Sequence, residues 1–267
     1  MDRLSALPDA LIHCVMSYLT ARQAVQTCAL SRRWRNLWRS AASLDVDSHM
    51  DDATRDHAAP PPVVVFVETP WEKLRDFATK LLQHHSAPFL DRFRLRVSTY
   101  RHDGDVKAEV AGWILRGASY RPAALEISLE HAARYVTMPP LGTGTGTTSS
   151  RLARLRLSGV LLDGGFASYL RTGCPVLRDL ELKGCALDDF EEIVSGTLKS
   201  LTFYGCTAKR RRNADKWRVR VTAPCLLSIA NGCGWGNVIT LSTLLLSPQV
   251  NAERVVSTTR EIILIIM

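Results

Sequence analysis

The sequence predicts a mixed fold of the α+β / α/β type: an N-terminal module of three short helices, then a repeat solenoid of short parallel strands with helical or irregular returns. Two observations predict it. The first 45 residues hold three helical patterns in succession, and a leucine spacing recurs from residue 152 onward. With 267 residues and 29.6 kDa there is room for one small module and one larger domain. A hydrophobic fraction of 46% beside 22% charged residues belongs to a folded, soluble chain.

In the first helix Leu11, Ile12, Val15, Met16 and Leu19 share one face at a 3.6-residue period, and Pro8 sits where a first helical turn tolerates it. Thr20 stands three residues before Gln23, the spacing at which hydroxyl and amide each satisfy an orphan N–H, so a second helix starts there and carries Ala24, Val25 and Ala29. Ser31 is placed to cap a third helix whose Trp34, Leu37 and Trp38 share a face, with Arg32, Arg33, Arg35 and Arg39 pointing elsewhere. Three such helices make a thin core, and the small size implies a partner.

Residues 46–62 read as a polar, proline-ended linker, which sets a domain boundary. The β-branched run at 63–67 reads as a buried strand, and Trp71, Leu74, Phe77, Ala78, Leu81 and Leu82 fall at helical spacing. The repeat then shows itself. Leu177-x-x-Leu180-x-Leu182-x-x-Cys185 is followed by Leu198-x-x-Leu201-x-Phe203-x-x-Cys206, and Leu152-x-x-Leu155-x-Leu157-x-x-Val160 precedes both. A weaker copy starts at Leu226, with Ile229 in place but Asn231 where an apolar residue belongs. The steps of 25, 21 and 28 residues lie within the leucine-rich-repeat window of roughly 20–29. Looser copies stand at Leu90-x-x-Phe93-x-Leu95 and Leu125-x-Ile127. In each copy alternate strand residues point inward, and the small residue or cysteine that ends the strand tucks into the neighbouring unit. Phe166, Tyr169 and Leu170 supply a helical return that Gly173-Cys174-Pro175 breaks. The leucine-rich-repeat domain is thus expected over 63–235, with a divergent or truncated C-terminal segment over 236–267 that shows no recognisable capping repeat.

The ordered series Leu4-Ser5-x-Leu7-Pro8-Asp9-x-Leu11-Ile12, then Thr27 to Leu30, then Ser31-Arg32-Arg33-Trp34-x-x-Leu37-Trp38, resembles the F-box of large plant families, and residues 1–45 are assigned to it. The repeat region around GVLLDGGFASYL and TGCPVLRDLELKGCAL resembles that of plant F-box/LRR-repeat proteins. The resemblance implies a non-catalytic substrate-recognition subunit of an SCF-type ubiquitin ligase. Its F-box would dock on a Skp-type adaptor within the cullin ligase complex, and its repeat domain would hold an unknown target protein. Carried over position by position, the adaptor-binding residues are Leu7, Pro8, Leu11, Ile12, Val15, Leu30, Trp34 and Leu37; the plainer alternative is that they only pack the three helices together.

On such a sheet the residue between the two apolar positions faces outward, which makes Arg94, Glu126, Arg156, Glu181 and Thr202 the candidates for contact with the target. The bland alternative is a solvated face. A rival reading takes helices two and three as a basic helix-turn-helix that binds nucleic acid, against which the broad apolar face of Trp34, Leu37 and Trp38 argues. Another is a truncated receptor that binds the adaptor but no substrate.

The formal charge of +8 divides into +3 over residues 1–45 and +5 over the rest; spread charge favours solubility over a dedicated polyanion site. The densest basic run, Lys209, Arg210, Arg211 and Arg212 with Lys216, Arg218 and Arg220 after it, reads as a solvated loop, with nuclear localisation or phosphate binding as the alternative. Gly142, Gly144 and Gly146 lack the Gly-Lys-Ser/Thr ending of a phosphate loop. The seven cysteines form no CxxC pair and no zinc-ligand spacing, so neither a metal nor a cofactor is expected. No catalytic set emerges from His84, His85, Cys174 and Cys185. With no leader, no membrane-length apolar run and no glycosylation site, residence in nucleus or cytoplasm, with no membrane partner, is the expectation.

Overall fold

Strict apolar/polar alternation in RFRLRVST, RLRLS, DLELK and SLTFY puts every second side chain on one face, and these four segments are strands of one sheet. The computed structural model describes residues 7–48, 71–100, 104–131, 133–141, 149–208, 217–232, 237–241 and 256–257. The expected strand at 63–67, most of the 46–62 linker, the glycine-threonine loop, the basic residues 209–212 and 216, and the apolar end of the chain lie outside the described residues.

The main sheet has eight strands in the order β1 (Ser43–Asp47), β2 (Arg92–Thr99), β3 (Ala124–His131), β4 (Arg154–Ser158), β6 (Asp179–Lys183), β9 (Ser200–Tyr204), β12 (Ser228–Gly232) and β14 (Val256–Ser257). Every pairing is parallel, and the register stacks like residues upon like. One inward row runs Leu44, Phe93, Leu125, Leu155, Leu180, Leu201, Ile229; the next runs Val46, Leu95, Ile127, Leu157, Leu182, Phe203. These rows form the floor of one continuous core. The short strands β5 (Leu161–Asp163), β7 (Ala186–Asp188) and β10 (Thr207–Ala208) form a second parallel sheet, and β8 (Glu192–Val194), β11 (Trp217–Thr222) and β13 (Asn237–Leu241) a third.

From β4 onward one geometry recurs. A main-sheet strand ends at a glycine with positive φ (Gly159, Gly184, Gly205), and a second short strand comes after one buried residue, Val160, Cys185 or Cys206. At Gly159 the turn allows no other residue, because a Cβ would lie 2.0 Å from the Leu129 carbonyl oxygen. The thiols of Cys185 and Cys206 donate to the carbonyls of Leu157 and Leu182 at 3.5 Å, each in the preceding unit, which is the tucking the repeat pattern predicts.

Behind the sheet lie α3 (Trp71–His84), α4 (Gly104–Ser119) and α5 (Gly164–Gly173). The first and third match the helical patterns expected there. The second was not foreseen, although Val106, Val110, Trp113 and Ile114 line its buried face. It seats Gly117 directly on the Phe93 ring, and Trp113 meets Trp71 at 5.4 Å and donates to the Thr79 hydroxyl at 3.3 Å. Strand β1 was also unforeseen, and its Asp47 runs into the first residues of the expected linker.

The N-terminal module comprises α1 (Asp9–Met16), α2 (Ala21–Gln26) and two 3-10 stretches, Thr27–Ala29 and Trp34–Ser40. The capping box at α2 is present: Gln23 N–H donates to the Thr20 hydroxyl at 3.4 Å and Thr20 N–H to the Gln23 side chain at 3.1 Å. Ser31 does not act as the cap expected of it. Among the described residues its buried hydroxyl finds no hydrogen-bond partner, and Trp34–Ser40 winds as a 3-10 helix entered through Arg33 with no side-chain cap. The module is sewn to the sheet through the Arg39 carbonyl, which accepts from Ser86 and Ala87 at 2.8 and 3.2 Å, and the Ala42 carbonyl, which accepts from Asp91 at 2.7 Å.

Candidate functional sites

Two surfaces stand out, one on the helical module and one on the open face of the sheet. In the module, α1 is too short to bury all of its apolar residues. Ile12 and Met16 turn inward onto Trp34 in a small core of their own, with Leu7, Leu37 and Trp38 packed against it. Leu11 and Val15, one position earlier in each pair, are left outside at 52% and 46% exposure, and Leu30 at 57%. Pro8 is exposed as well. The eight residues expected to contact an adaptor thus divide by geometry: Pro8, Leu11, Val15 and Leu30 present apolar surface to solvent, while Ile12 and Trp34 are buried and Leu7 and Leu37 half-buried beneath them. Arg33 is tied to Asp9 across the module, its Nε donating to Oδ1 at 3.0 Å, which locks the turn before Trp34 to the start of α1. As a 3-10 stretch, Trp34–Ser40 also lacks the regular α-helical face that a groove-reading helix needs.

On the sheet, the register places all five candidate target-facing residues in one row that Asp45 begins, in the order Asp45, Arg94, Glu126, Arg156, Glu181, Thr202. The charges alternate along it. Arg94 donates to Asp45 at 3.2 Å and to Glu126 at 2.8 Å; Arg156 lies 3.7 Å from Glu126 and 3.1 Å from Glu181. Sequence reasoning found the row but missed its flanks. Arg92 donates to Glu126 at 3.0 Å, Arg96 pairs with Asp47 at 2.8 Å, and Lys183 pairs with Glu181. Strand alternation was the available signal, since each missed residue sits two positions from one that was named.

The two acids at either end of Arg94 respond differently. Burial alone would raise both carboxyls. For Glu126 the hydrogen bond from Arg94 and the charges of Arg94, Arg92 and Arg156 outweigh it, and the carboxyl is held below the usual range. For Asp45 burial wins over the charges of Arg94 and Arg96, and the carboxyl is held above that range. Elsewhere burial raises the Cys174 thiol to about 11, the opposite of what a nucleophile requires. Among the described residues no group of three or more His, Cys, Asp or Glu side chains is arranged to hold a metal ion, and no helix is long and apolar enough to cross a membrane.

Fold and surfaces together define a class: a small helical module with exposed apolar side chains, fixed to the edge of a repetitive parallel sheet whose open face is charged. Residues 4–44 match the F-box domain family. The chain is 30% identical over 236 residues to the MEIOTIC F-BOX protein MOF of Oryza sativa subsp. japonica, covering 85% of this chain and 45% of that protein. It is 28% identical to a putative FBD-associated F-box protein of Arabidopsis thaliana (72% and 41% covered) and 30% identical to a putative F-box/LRR-repeat protein of the same plant (76% and 50% covered). The protein belongs with the plant F-box proteins. It spans about half the length of the curated relatives it matches. No solved structure matches.

Proposed function

We propose that this chain is a non-catalytic receptor subunit of an SCF-type ubiquitin ligase, with the F-box docking on a Skp-type adaptor and a leucine-rich-repeat solenoid presenting its open sheet face to a target protein. The observation that carries the docking half is the exposure of Leu11, Val15 and Leu30 on a module whose own core is already satisfied by Ile12, Met16 and Trp34. Bare aliphatic side chains on a small domain are the kind of anchor a partner buries. The solenoid reading rests on the in-register parallel rows and on the recurring strand, glycine and second-strand unit. The relatives known as F-box/LRR-repeat proteins agree with it. Transfer of ubiquitin would then come from other subunits acting on a target held in place. Residence in the nucleus or cytoplasm is part of the same proposal.

The test uses substitutions that leave the small core alone. Leu11→Ala with Leu30→Ala removes exposed side chains only, so the helical content and unfolding midpoint should stay unchanged. Binding to a recombinant Skp-type adaptor should weaken by at least about thirtyfold, as loss of two hot-spot anchors at about 1 kcal/mol or more each implies. Undiminished binding would overturn the docking assignment.

A further inference from the structure

The buried residue behind each strand-ending glycine reads Val160, Cys185, Cys206 across the units of β4, β6 and β9. The second sheet aligns these positions. Ala186 pairs with Leu161 and Thr207 with Ala186, so the residues just before them stand side by side in a parallel stack. Parallel neighbours lie about 4.8 Å apart, inside the roughly 4.4–6.8 Å between Cα atoms that a disulfide spans. Both cysteine side chains point the same way. Each thiol donates to a carbonyl one unit back, Leu157 for Cys185 and Leu182 for Cys206, at 3.5 Å. Both are thiols in the structure, and each lies within hydrogen-bonding reach of the other. Val160 ends the run of cysteines on one side.

The bond between the two thiols makes them unequal. Donated by Cys185, it holds Cys206 below the usual thiol range, and the same bond together with burial holds Cys185 well above it. One sulfur is thereby disposed to act as the thiolate and the other to keep its proton. Position adds to the difference. Strand β10, which follows Cys206 directly, is two residues long and is the end strand of its sheet, paired among the described residues to β7 alone. A short end strand opens at far less free energy than the whole domain, so a neutral molecule of water size gains Cys206 through a local opening. Cys174 is the contrast. It is buried in the α5 unit beside Tyr169, and burial leaves its thiol at about 11, which makes it inert.

We infer that Cys185 and Cys206 are a site of oxidative modification, a dithiol that hydrogen peroxide closes to a disulfide, stapling the unit of β6 and β7 to the unit of β9 and β10. The Cys206 thiolate attacks one oxygen of the peroxide. The O–O bond breaks, hydroxide leaves and takes the proton that Cys206 released, and Cys206 becomes a sulfenic acid. The Cys185 sulfur then attacks the Cys206 sulfur: the S–S bond forms, the S–O bond breaks, and the departing hydroxide leaves as water with the Cys185 proton. Two thiols are oxidised by two electrons in all, and one peroxide is reduced to two waters. The new bond closes a loop over residues 186–205. Neither adaptor nor target takes part.

The test treats the folded, reduced full chain with millimolar hydrogen peroxide, removes the oxidant with catalase, and unfolds the chain in acid with N-ethylmaleimide to trap the remaining thiols before tryptic digestion and mass spectrometry. Peptides 184–199 and 200–209 should appear joined, lighter than their sum by two hydrogens and separable by dithiothreitol, while Cys174 is recovered as the trapped thiol. In urea the closed chain should favour the folded repeats by at least about tenfold over the reduced chain, because a loop of roughly 20 residues is worth more than that before strain. Cys185→Val is the matching variant, since Val160 already fills the equivalent place in the stack. It should show no gain in urea, and its Cys206 should pass to sulfinic acid. Recovery of the two peptides as trapped thiols, or oxidised without being joined, overturns the site. So does Cys206 joined to Cys174 as often as to Cys185. A joined pair with an unchanged urea midpoint overturns the staple.

Discussion

Removing Glu126 should show what the charge ladder is worth. Its carboxylate accepts from Arg92 Nε and Nη2 at 3.2 and 3.0 Å and from Arg94 Nε at 2.8 Å, with Arg156 at 3.7 Å. Glu126→Ala deletes the acceptor at the centre of three cations and leaves Arg92, Arg94 and Arg156 facing one another. Hydrogen bonds to charged groups are worth about 1.5–3 kcal/mol each when buried. Here the arginines are 39%, 25% and 47% exposed, so water recovers most of that value and only the Arg94 bond retains a large share. The net expectation is a loss of about 2 kcal/mol, between the exposed and the buried limits for ion pairs. Urea unfolding of the full chain at neutral pH measures it, and Glu126→Gln, which keeps the shape and one acceptor, should lose roughly half as much. The loss should shrink as salt rises, because part of it is repulsion among exposed cations. A Glu126→Ala chain within about 0.5 kcal/mol of the parent, or a deficit that salt does not alter, would refute the account, since surface changes without such a feature stay within that margin.

His85 is buried against Tyr120, and burial lowers its pKa from 6.5 to about 4. Its unfolded form takes up a proton below pH 6.5 and its folded form resists until about 4, so stability should erode as pH falls through that window, by up to about 3 kcal/mol; urea midpoints between pH 7.5 and 4 should show this slope in the parent and a flatter one in His85→Phe. At Gly159, φ is +71° and a Cβ would lie 2.0 Å from the Leu129 carbonyl, so Gly159→Ala should cost at least about 2 kcal/mol in thermal unfolding. Gly112 lies in a helix with open space around it, and Gly112→Ala should be neutral or stabilising by up to about 1 kcal/mol in the same assay.

The repeat units were legible because their signal is redundant: Leu155, Leu180 and Leu201 hold the same place within each leucine pattern and stack alike in the sheet. The outward row came from alternation alone, and Arg94, Glu126, Arg156, Glu181 and Thr202 do fall side by side. Strand β1 and helix α4 were harder for physical reasons. Strand β1 is five residues long and is stabilised by pairing to Arg92–Arg96 far along the chain, a contact with no local trace. Helix α4 carries Gly112 and Gly117, which lower its intrinsic propensity, yet Gly117 is there because the Phe93 ring fills the space of a side chain. In the N-terminal module the apolar spacing of α1 was legible, but not which half of it faces inward. Leu11 and Ile12 are equally apolar neighbours, and only the position of Trp34 decides that Ile12 is covered and Leu11 bare.

That division bears on how the two halves cooperate. Ile12, Met16 and Trp34 are too few to hold a domain together unaided, and the module draws on the sheet for the rest. Trp38 packs against both cores, Ala21 belongs to the larger one, and the Arg39 and Ala42 carbonyls receive hydrogen bonds from the backbone leading into β2. The chain then enters β1, where Asp45 becomes the first acid of the charge ladder and pairs with Arg94. The segment that ends the helical module therefore begins the charged face. Short backbone bonds and a shared tryptophan join the two, rather than a loose tether. Anything bound at Leu11 and Leu30, as proposed, and anything bound on the charged face would consequently be held at a fixed separation.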